Sequence, residues 1–538
     1  MDAALPAPVV IAKRPPVNKW LVTISVSFGT LMGAVDTSIV NVALPQIRGS
    51  VGATIQEITW ISTGYAIALV LVMPFTAFLG RMFGQKRVYL VCLALFLAGS
   101  FLCGVATSLP ALICFRAIQG FGAGALQPTE QAILRQTFPP QEQGMAMAVF
   151  AMAVMLGPAI GPTLGGYIVD NYHWSWIFFI NLPVGAVGLF MVLSFVHEDE
   201  EILAANQVLA AEQRKHIDWA GIALLCVGVS ALQYFLEEGA RDDWFDSRLI
   251  SACFLIAVFA IAAFVIRELR APVPAVDLRL FKDTVFLSGT LIGAMMFAML
   301  MANMFLLPIF MQELLGFTAT QSGLALMPRV LVMMAAVPIV GRLYNHVDPR
   351  IIVATGIFFF CVGAYEMSSL TLESGVPDVI GVVAIQGIGF ACLFVPLTTA
   401  ALTNIPRHRM ADATGLNSLL RQIGGAAGLA VFATVLDTYG KEATASVRTH
   451  LDPTRPEVWA RMQSVEHGLR ATGLDATSAE YGSHAVLDGI ARQQGMVLAF
   501  DRIFLLAGIA FLFVLPVLYF LKVNRQPGQP AAKAHLEH

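Results

Sequence analysis

The chain has 538 residues, 57% of them hydrophobic and 13% charged, with a mean hydropathy of +0.72. Soluble globular chains carry about 25% charged residues, so this composition excludes a cytosolic enzyme, a nucleic-acid binder and a disordered scaffold. The net charge of -3, from 36 acidic and 33 basic residues, points to no polyanionic partner, and the chain reads as a polytopic membrane protein.

A membrane helix needs about 20 apolar residues. After a hydrophilic N-terminus (1–19), six such runs lie near 20–42, 58–80, 88–108, 111–132, 143–168 and 175–196. The first holds Asp36 and is too long for a signal-peptide core. A mixed-charge linker (197–217) precedes two more runs, near 218–237 and 249–269. The last six lie near 286–312, 322–343, 351–370, 378–400, 411–436 and 498–521. A hydrophilic loop (438–497) separates the final two, and the tail (522–538) ends in His-Leu-Glu-His, the stub of an expression tag.

The basic residues orient the chain. With both termini cytoplasmic, the termini, the loops on that side and the span ends beside them hold 20 of the 33 Lys and Arg residues, Lys86 and Arg87 among them as anchors. The short loops opposite hold Arg48, Arg241 and Arg248, as the positive-inside rule requires. The seven cysteines all lie in apolar runs without C-x-x-C spacing, and no histidine lies in a span, so neither a disulfide framework nor a metal site is expected.

An internal repeat divides the chain. Ala117-Ile-Gln-Gly120 recurs as Ala384-Ile-Gln-Gly387, an offset of 267 at which Gly157 and Gly161 also map onto Gly424 and Gly428. The loop from Ala77 to Lys86 has a weaker counterpart from Gly341 to Arg350. The expected fold is therefore all-α: fourteen transmembrane helices in two six-helix pseudo-repeat bundles (20–196 and 286–521), with two inserted helices (218–269) between them. Such repeats place a substrate path at their interface and alternate access by rocking. No G-x-x-x-x-G-K-[ST] motif occurs, so uphill work falls to an ion gradient and no cofactor is expected.

Charges inside the spans are costly and mark function. Asp36 lies about six residues before the outer end of the first span, and Arg116 about six after the outer start of the fourth. At 1.5 Å per residue both sit roughly 9 Å below the outer surface. Burial opposes a carboxylate's charge and a nearby arginine favours it, so the pair reads either as a proton-coupling site or as a static ion pair. Arg421, one turn before Gly424, is a candidate for pinning the halves together. Arg329 follows Pro328 in its span. Glu130 and Glu366 are expected near the interfaces, solvated or snorkelling. Met295 to Met304 packs as core or lines an adaptable pocket. Candidate substrate-lining residues are Met32, Asn41, Gln119 and Gln127 in the first half and Met299, Asn303 and Asn417 in the second.

In the fifth span, glycines at 157, 161 and 165 form a smooth stripe while Pro158 and Pro162 each remove a backbone donor, and Gly166 closes the run. This run, Gly157-Pro-Ala-Ile-Gly-Pro-Thr-Leu-Gly-Gly166, together with Leu112-x-x-x-Arg116-x-x-Gln119-Gly120, Asp36 within Leu31–Pro45, and Asp170 to Pro183, resembles the fourteen-span drug–proton antiporters of the major facilitator superfamily, particularly the EmrB type. The loop after span two departs from that pattern, with Ala77 where the family has Gly and Arg81 where many members have Asp.

The resemblance implies a proton-driven exporter of hydrophobic toxic compounds in the bacterial inner membrane. It also implies a periplasmic membrane-fusion adaptor protein and an outer-membrane channel as partners. Competing readings are uptake or exchange of a specific metabolite or siderophore-like compound, an integral membrane enzyme, and a structural subunit or receptor. The antiporter motif argues against the first. The spans lack the paired carboxylates or Ser-His sets that the second needs, and a purely structural role leaves buried Asp36 and Arg116 unexplained. In the outer loop, Val458, Met462, Val465 and Leu469 form a helical apolar stripe, and Thr477-Ser-Ala-Glu480 reads as a capping box. The stripe needs a cover, either the bundle itself or a partner, and the loop is expected to help dock the adaptor.

Overall fold

The computed structural model describes residues 18–139, 142–198, 218–271, 274–406, 409–452 and 454–521. Most of the N-terminal segment, most of the 197–217 linker and the 522–538 tail, with the expected tag residues, lie outside the described residues. Fourteen helices among the described residues are long and apolar enough to cross a membrane. In chain order they are α1 (Lys19–Val51), α2 (Gln56–Phe83), α3 (Gln85–Gly104), α4 (Leu109–Thr137), α5 (Gln143–Asn171), α6 (Trp176–Phe195), α7 (Trp219–Glu238), α8 (Arg248–Arg270), α9 (Thr284–Leu314), α10 (Thr320–Leu343), α11 (Pro349–Met367), α12 (Val376–Ala400), α13 (Met410–Thr449) and α14 (Ala476–Phe520).

The same packing scheme appears twice. In the first six helices α1 lies on α5 and α6, and α4 lies on α2 and α3; in the last six α9 lies on α13, and α12 lies on α10 and α11. Across the two sets α5 meets α10 while α13 meets α4 and α2. The inserted pair packs α7 against α8, and α7 also touches α2 and α13. Trp60 of α2 stacks on Tyr234 of α7 at 5.5 Å, and Trp244 beyond α7 donates to Thr434 of α13 at 2.8 Å. α8 leaves Leu255, Val258 and Phe259 exposed, an apolar face suited to lipid.

Local chemistry sets the helix ends. Asn18 caps α1 by accepting from the Trp20 N–H, and α1 ends at Gly52 with φ +66°, a left-handed stop that glycine adopts freely. Asp218 caps α7 through Gly221 and pairs with Arg267 at the end of α8. Burial pushes this carboxyl up, but those donors outweigh it and hold it below the usual range.

Two expectations about the outer loop change. α13 is 40 residues long, about 60 Å, roughly twice a bilayer core. α14 begins at Ala476, capped by Asp475 accepting from the Ser478 N–H, not by Thr477. Most of the expected 438–497 loop is therefore a helical hairpin, joined by Arg448 to Asp488 at 2.7 Å. The expected helix is present as Pro456–Ala471, with Met462 buried against α14. Its apolar stripe is partly covered by the hairpin: Met462 is buried, and Val458, Val465 and Leu469 are half-buried.

Candidate functional site

Asp36 and Arg116, placed at equal depth by counting residues, meet. An Arg116 guanidinium N–H donates to Asp36 Oδ2 at 2.5 Å, and both side chains are fully buried. The second carboxylate oxygen accepts from Gln119 at 2.8 Å and from Asn181 at 3.2 Å. Gln119 also accepts from Arg116 at 2.8 Å, and Asn181 donates to Ser100 at 3.0 Å. The guanidinium lies 4.0 Å from the centre of the Tyr65 ring, a face that favours a cation. Gln119, expected to line a substrate path, thus holds the carboxylate and is itself buried.

The glycine stripe of α5 grips this turn of α1. A methyl group on Gly157 would fall 2.3 Å from Ala34 Cβ, one on Gly161 1.8 Å from Ser38 Oγ, and one on Gly165 2.8 Å from Ile39. Ser38 donates to the Gly157 carbonyl at 3.1 Å. The contacts bracket Asp36, so α5 cannot slide without moving the carboxylate's own turn. Gly166 faces open space and is no part of the seam. Pro158 and Pro162 lie within the helix Gln143–Asn171. The repeat glycines Gly424 and Gly428 press on Ala294 and Ala298 of α9, five to nine residues before Asn303, so they grip a different stretch.

The second half holds a counterpart of the Asp36 cluster in which an arginine is bound by amides and no carboxylate is present. At the repeat offset of 267, Asn303 stands for Asp36, Met367 for Ser100 and Gln386 for Gln119, while Val383 replaces Arg116. The arginine enters from α10 instead: Arg329 donates to Asn303 at 2.7 Å and to Gln386 at 2.8 Å. Gln386 in turn donates to the Met367 sulfur at 3.0 Å. Arg329 sits at the repeat position of Tyr65 on the shorter offset of 264. The offset already present in the glycine and Ala-Ile-Gln-Gly repeats was the signal for this cluster.

Other expectations fare differently. Glu130 is fully buried, not interfacial: Ser27 donates to it at 2.9 Å and Thr30 also bonds it. Glu366 is exposed, as an interfacial side chain should be. Arg421, expected to pin the halves, instead lies over Phe394 of its own half at 5.1 Å. The polar contacts between halves come from Arg81, noted in the sequence only as a departure from the family pattern, and from residues the sequence reading passed over. Arg81 pairs with Asp412, Arg135 donates to the Thr399 carbonyl, and Gln131 meets Ser418 at 3.4 Å. All lie at the end that bears the termini, where Gly144 also packs on the Gly341 backbone. Arg81 thus takes an acid from the opposite half where many family members carry their own.

Met32, Met299 and Asn417 are buried, Gln127 is half-buried, and exposed Asn41 accepts from Ser62 at 3.1 Å. Met296 and Met299 join the core cluster. Lys86 binds the Leu193 carbonyl at 3.0 Å, and Arg87 stands beside it at the start of α3. No group of three or more His, Cys, Asp or Glu residues suited to a metal occurs among the described residues.

The Major Facilitator Superfamily model matches residues 26–429. The chain is 36% identical over 521 residues to the multidrug export protein EmrB of Haemophilus influenzae, covering 95% of this chain and 98% of that protein. Identity to the multidrug export protein EmrB of Escherichia coli K12 is 34% over 522 residues, covering 96% and 98%. The crystal structure of the human organic anion transporter MFSD10 shares the fold at a TM-score of 0.58 with 15% identity, covering 93% of this chain and 100% of that one.

Proposed function

The chain belongs to the major facilitator superfamily, with the EmrB-type multidrug exporters, and on that premise we propose that it exports hydrophobic toxic compounds in exchange for protons. It is a multi-pass inner-membrane transporter, not a member of an enzyme family. The termini face the cytoplasm, a reading supported by the distribution of lysine and arginine.

One observation carries the coupling: a carboxylate buried in the first half, held by a cation and two amides from α4 and α6. With Asp36 ionised the pair is neutral. A proton arriving from outside neutralises the carboxylate and frees Arg116, which keeps Gln119 and the Tyr65 face. The α5 seam passes any shift of the Asp36 turn to the contact between α5 and α10, where the halves meet. Release of the proton inside restores the pair. A charge crossing about 100 mV supplies about 2.3 kcal/mol, enough for roughly a fortyfold gradient of a neutral substrate. The latches at the terminus-bearing end suit a state closed to the cytoplasm.

On the same premise the exporter works with a periplasmic adaptor and an outer-membrane channel. The α13–α14 hairpin that projects from the bundle supports this, while the stripe on Pro456–Ala471, partly covered by the hairpin, speaks for it less than the sequence suggested. The deciding measurement is proton movement in proteoliposomes on addition of a hydrophobic drug. Drug-dependent proton flux is expected, and its absence in active, correctly inserted protein would refute exchange.

A further inference from the structure

Glu130 has no place in the exchange just described, yet it is a fully buried carboxyl. Both of its oxygens are engaged by hydroxyls of α1, Oε1 by Ser27 and Oε2 by Thr30. Tyr89 of α3 closes the same turn, donating to the Val26 carbonyl at 2.5 Å and accepting from the Gly29 N–H at 3.1 Å. No cation faces it among the described residues. Arg135, on its own helix, is turned to Gln143 and to the Thr399 carbonyl. On α2 and α13, Arg81 is held by Asp412, and Arg421 lies over Phe394. Asp36 on α1 is nine residues from Ser27, about 13 Å along the axis, and is committed to Arg116. Just before α5, Glu142 is bound by Lys19. The titratable neighbour is the Tyr89 phenol.

A bare carboxylate sealed in such a site costs several kcal/mol, and two neutral hydroxyls do not offset that. A carboxylic acid fits, because its O–H can be accepted by one hydroxyl while the other donates. The neighbours of Glu130 on α4 are covered by the second half at the terminus-bearing end. Gln131, the next residue, meets Ser418 of the second half, and Arg135, just over one turn on, meets Thr399. Parting the halves there uncovers Gln131 and Arg135 and brings water to α4 beside Glu130, whose own partners Ser27 and Thr30 stay in the same half.

We propose that Glu130 is a proton-binding site separate from Asp36, filled when the terminus-bearing end is closed and emptied to water when that end opens. The step is a simple dissociation: the carboxyl O–H breaks, the proton goes to water, and the carboxylate stays on Glu130. Closing therefore takes up one proton from the terminus side, and alkaline conditions there favour the open state. The proposal takes from the function above only that the halves part at this end.

The test is the distance distribution between spin labels at Phe83 on the first half and Leu343 on the second, followed from about pH 5 to about pH 9. A one-proton site shifts the open-to-closed ratio by up to about tenfold per pH unit. This slope should persist in D36N, which removes the other carboxyl, and vanish in D36N/E130Q. A carbonyl stretch of a protonated carboxylic acid should disappear from the infrared spectrum of E130Q. E130D, still titratable, should keep the slope with a displaced midpoint, and it serves if E130Q does not fold. A slope unchanged by E130Q, or a closed state that lacks the protonated band, overturns the assignment. Labels that never part under any condition count instead against alternating access itself, and the Glu130 proposal falls with it.

Discussion

Arg329 is buried with neutral Asn303 and Gln386 to receive its N–H groups, and the second half folds around it. Asp36→Asn would give the first half the same set: an arginine, an asparagine and a glutamine. Breaking a buried pair commonly costs about 3–5 kcal/mol, but here the protein already contains the arrangement that results. We therefore expect D36N to express and insert with drug binding retained, and to lose uphill export. A D36N protein that still concentrates drug against its gradient in proteoliposomes would remove Asp36 from the coupling step. Arg116→Ala acts on the same carboxylate from the other side. Without the guanidinium the carboxylate loses its partner, and the pH profile of transport is expected to move upward. Lysine should substitute poorly, because it brings neither the fork that spans Asp36 and Gln119 nor a planar face for Tyr65. A profile identical to wild type in R116A would show that the two residues do not act together.

At the scale of elements, the α1–α5 seam decides whether the carboxylate's turn can move with the bundle. Gly161→Ala would place a methyl group 1.8 Å from Ser38 Oγ, beside Asp36. Overpacking of this kind costs about 1–3 kcal/mol and displaces α1. We expect G161A to lower transport at least tenfold at normal expression, whereas G166A, with no atom within 4 Å, should remain close to wild type. Equal activity of the two would reduce the motif to ordinary packing. The spans, the stripe and the equal depth of Asp36 and Arg116 were legible because each follows from periodicity or rise along one helix. Glu130 was not: its surroundings come from Ser27 and Thr30, a hundred residues away, and nothing local distinguishes a buried glutamate from a snorkelling one. The helix Pro456–Ala471 was legible for the same local reason, but its cover was not, since only the extension of α14 supplies it.

For the whole molecule, the projecting hairpin and the latched end make separate predictions. Replacing 450–475 with a short Gly/Ser linker removes the tip of the hairpin and leaves the bundle untouched. Drug–proton exchange in proteoliposomes should survive, while cellular resistance and adaptor pull-down should fall; loss of exchange itself would place the tip in the transport core. The latched end turns on Arg81 and Asp412, which join α2 to the start of α13 with Asp412 buried and Arg81 partly so. A pair of this kind resists separation of the halves, whereas one within a half would not. Asp412→Asn removes the ion pair at the contact between halves and should favour the open state by about 1–3 kcal/mol, between roughly fivefold and a hundredfold in population. A cysteine at Ser418, buried where Gln131 of α4 meets α13, reports this as its rate of labelling by a water-soluble thiol reagent. The rate should rise in D412N and return towards wild type in the charge-swapped R81D/D412R, which restores the attraction with the charges exchanged. If the swap labels as fast as D412N, attraction between these residues does not close this end, and the closure must be assigned to the Arg135–Thr399 contact and the packing of Gly144 on Gly341.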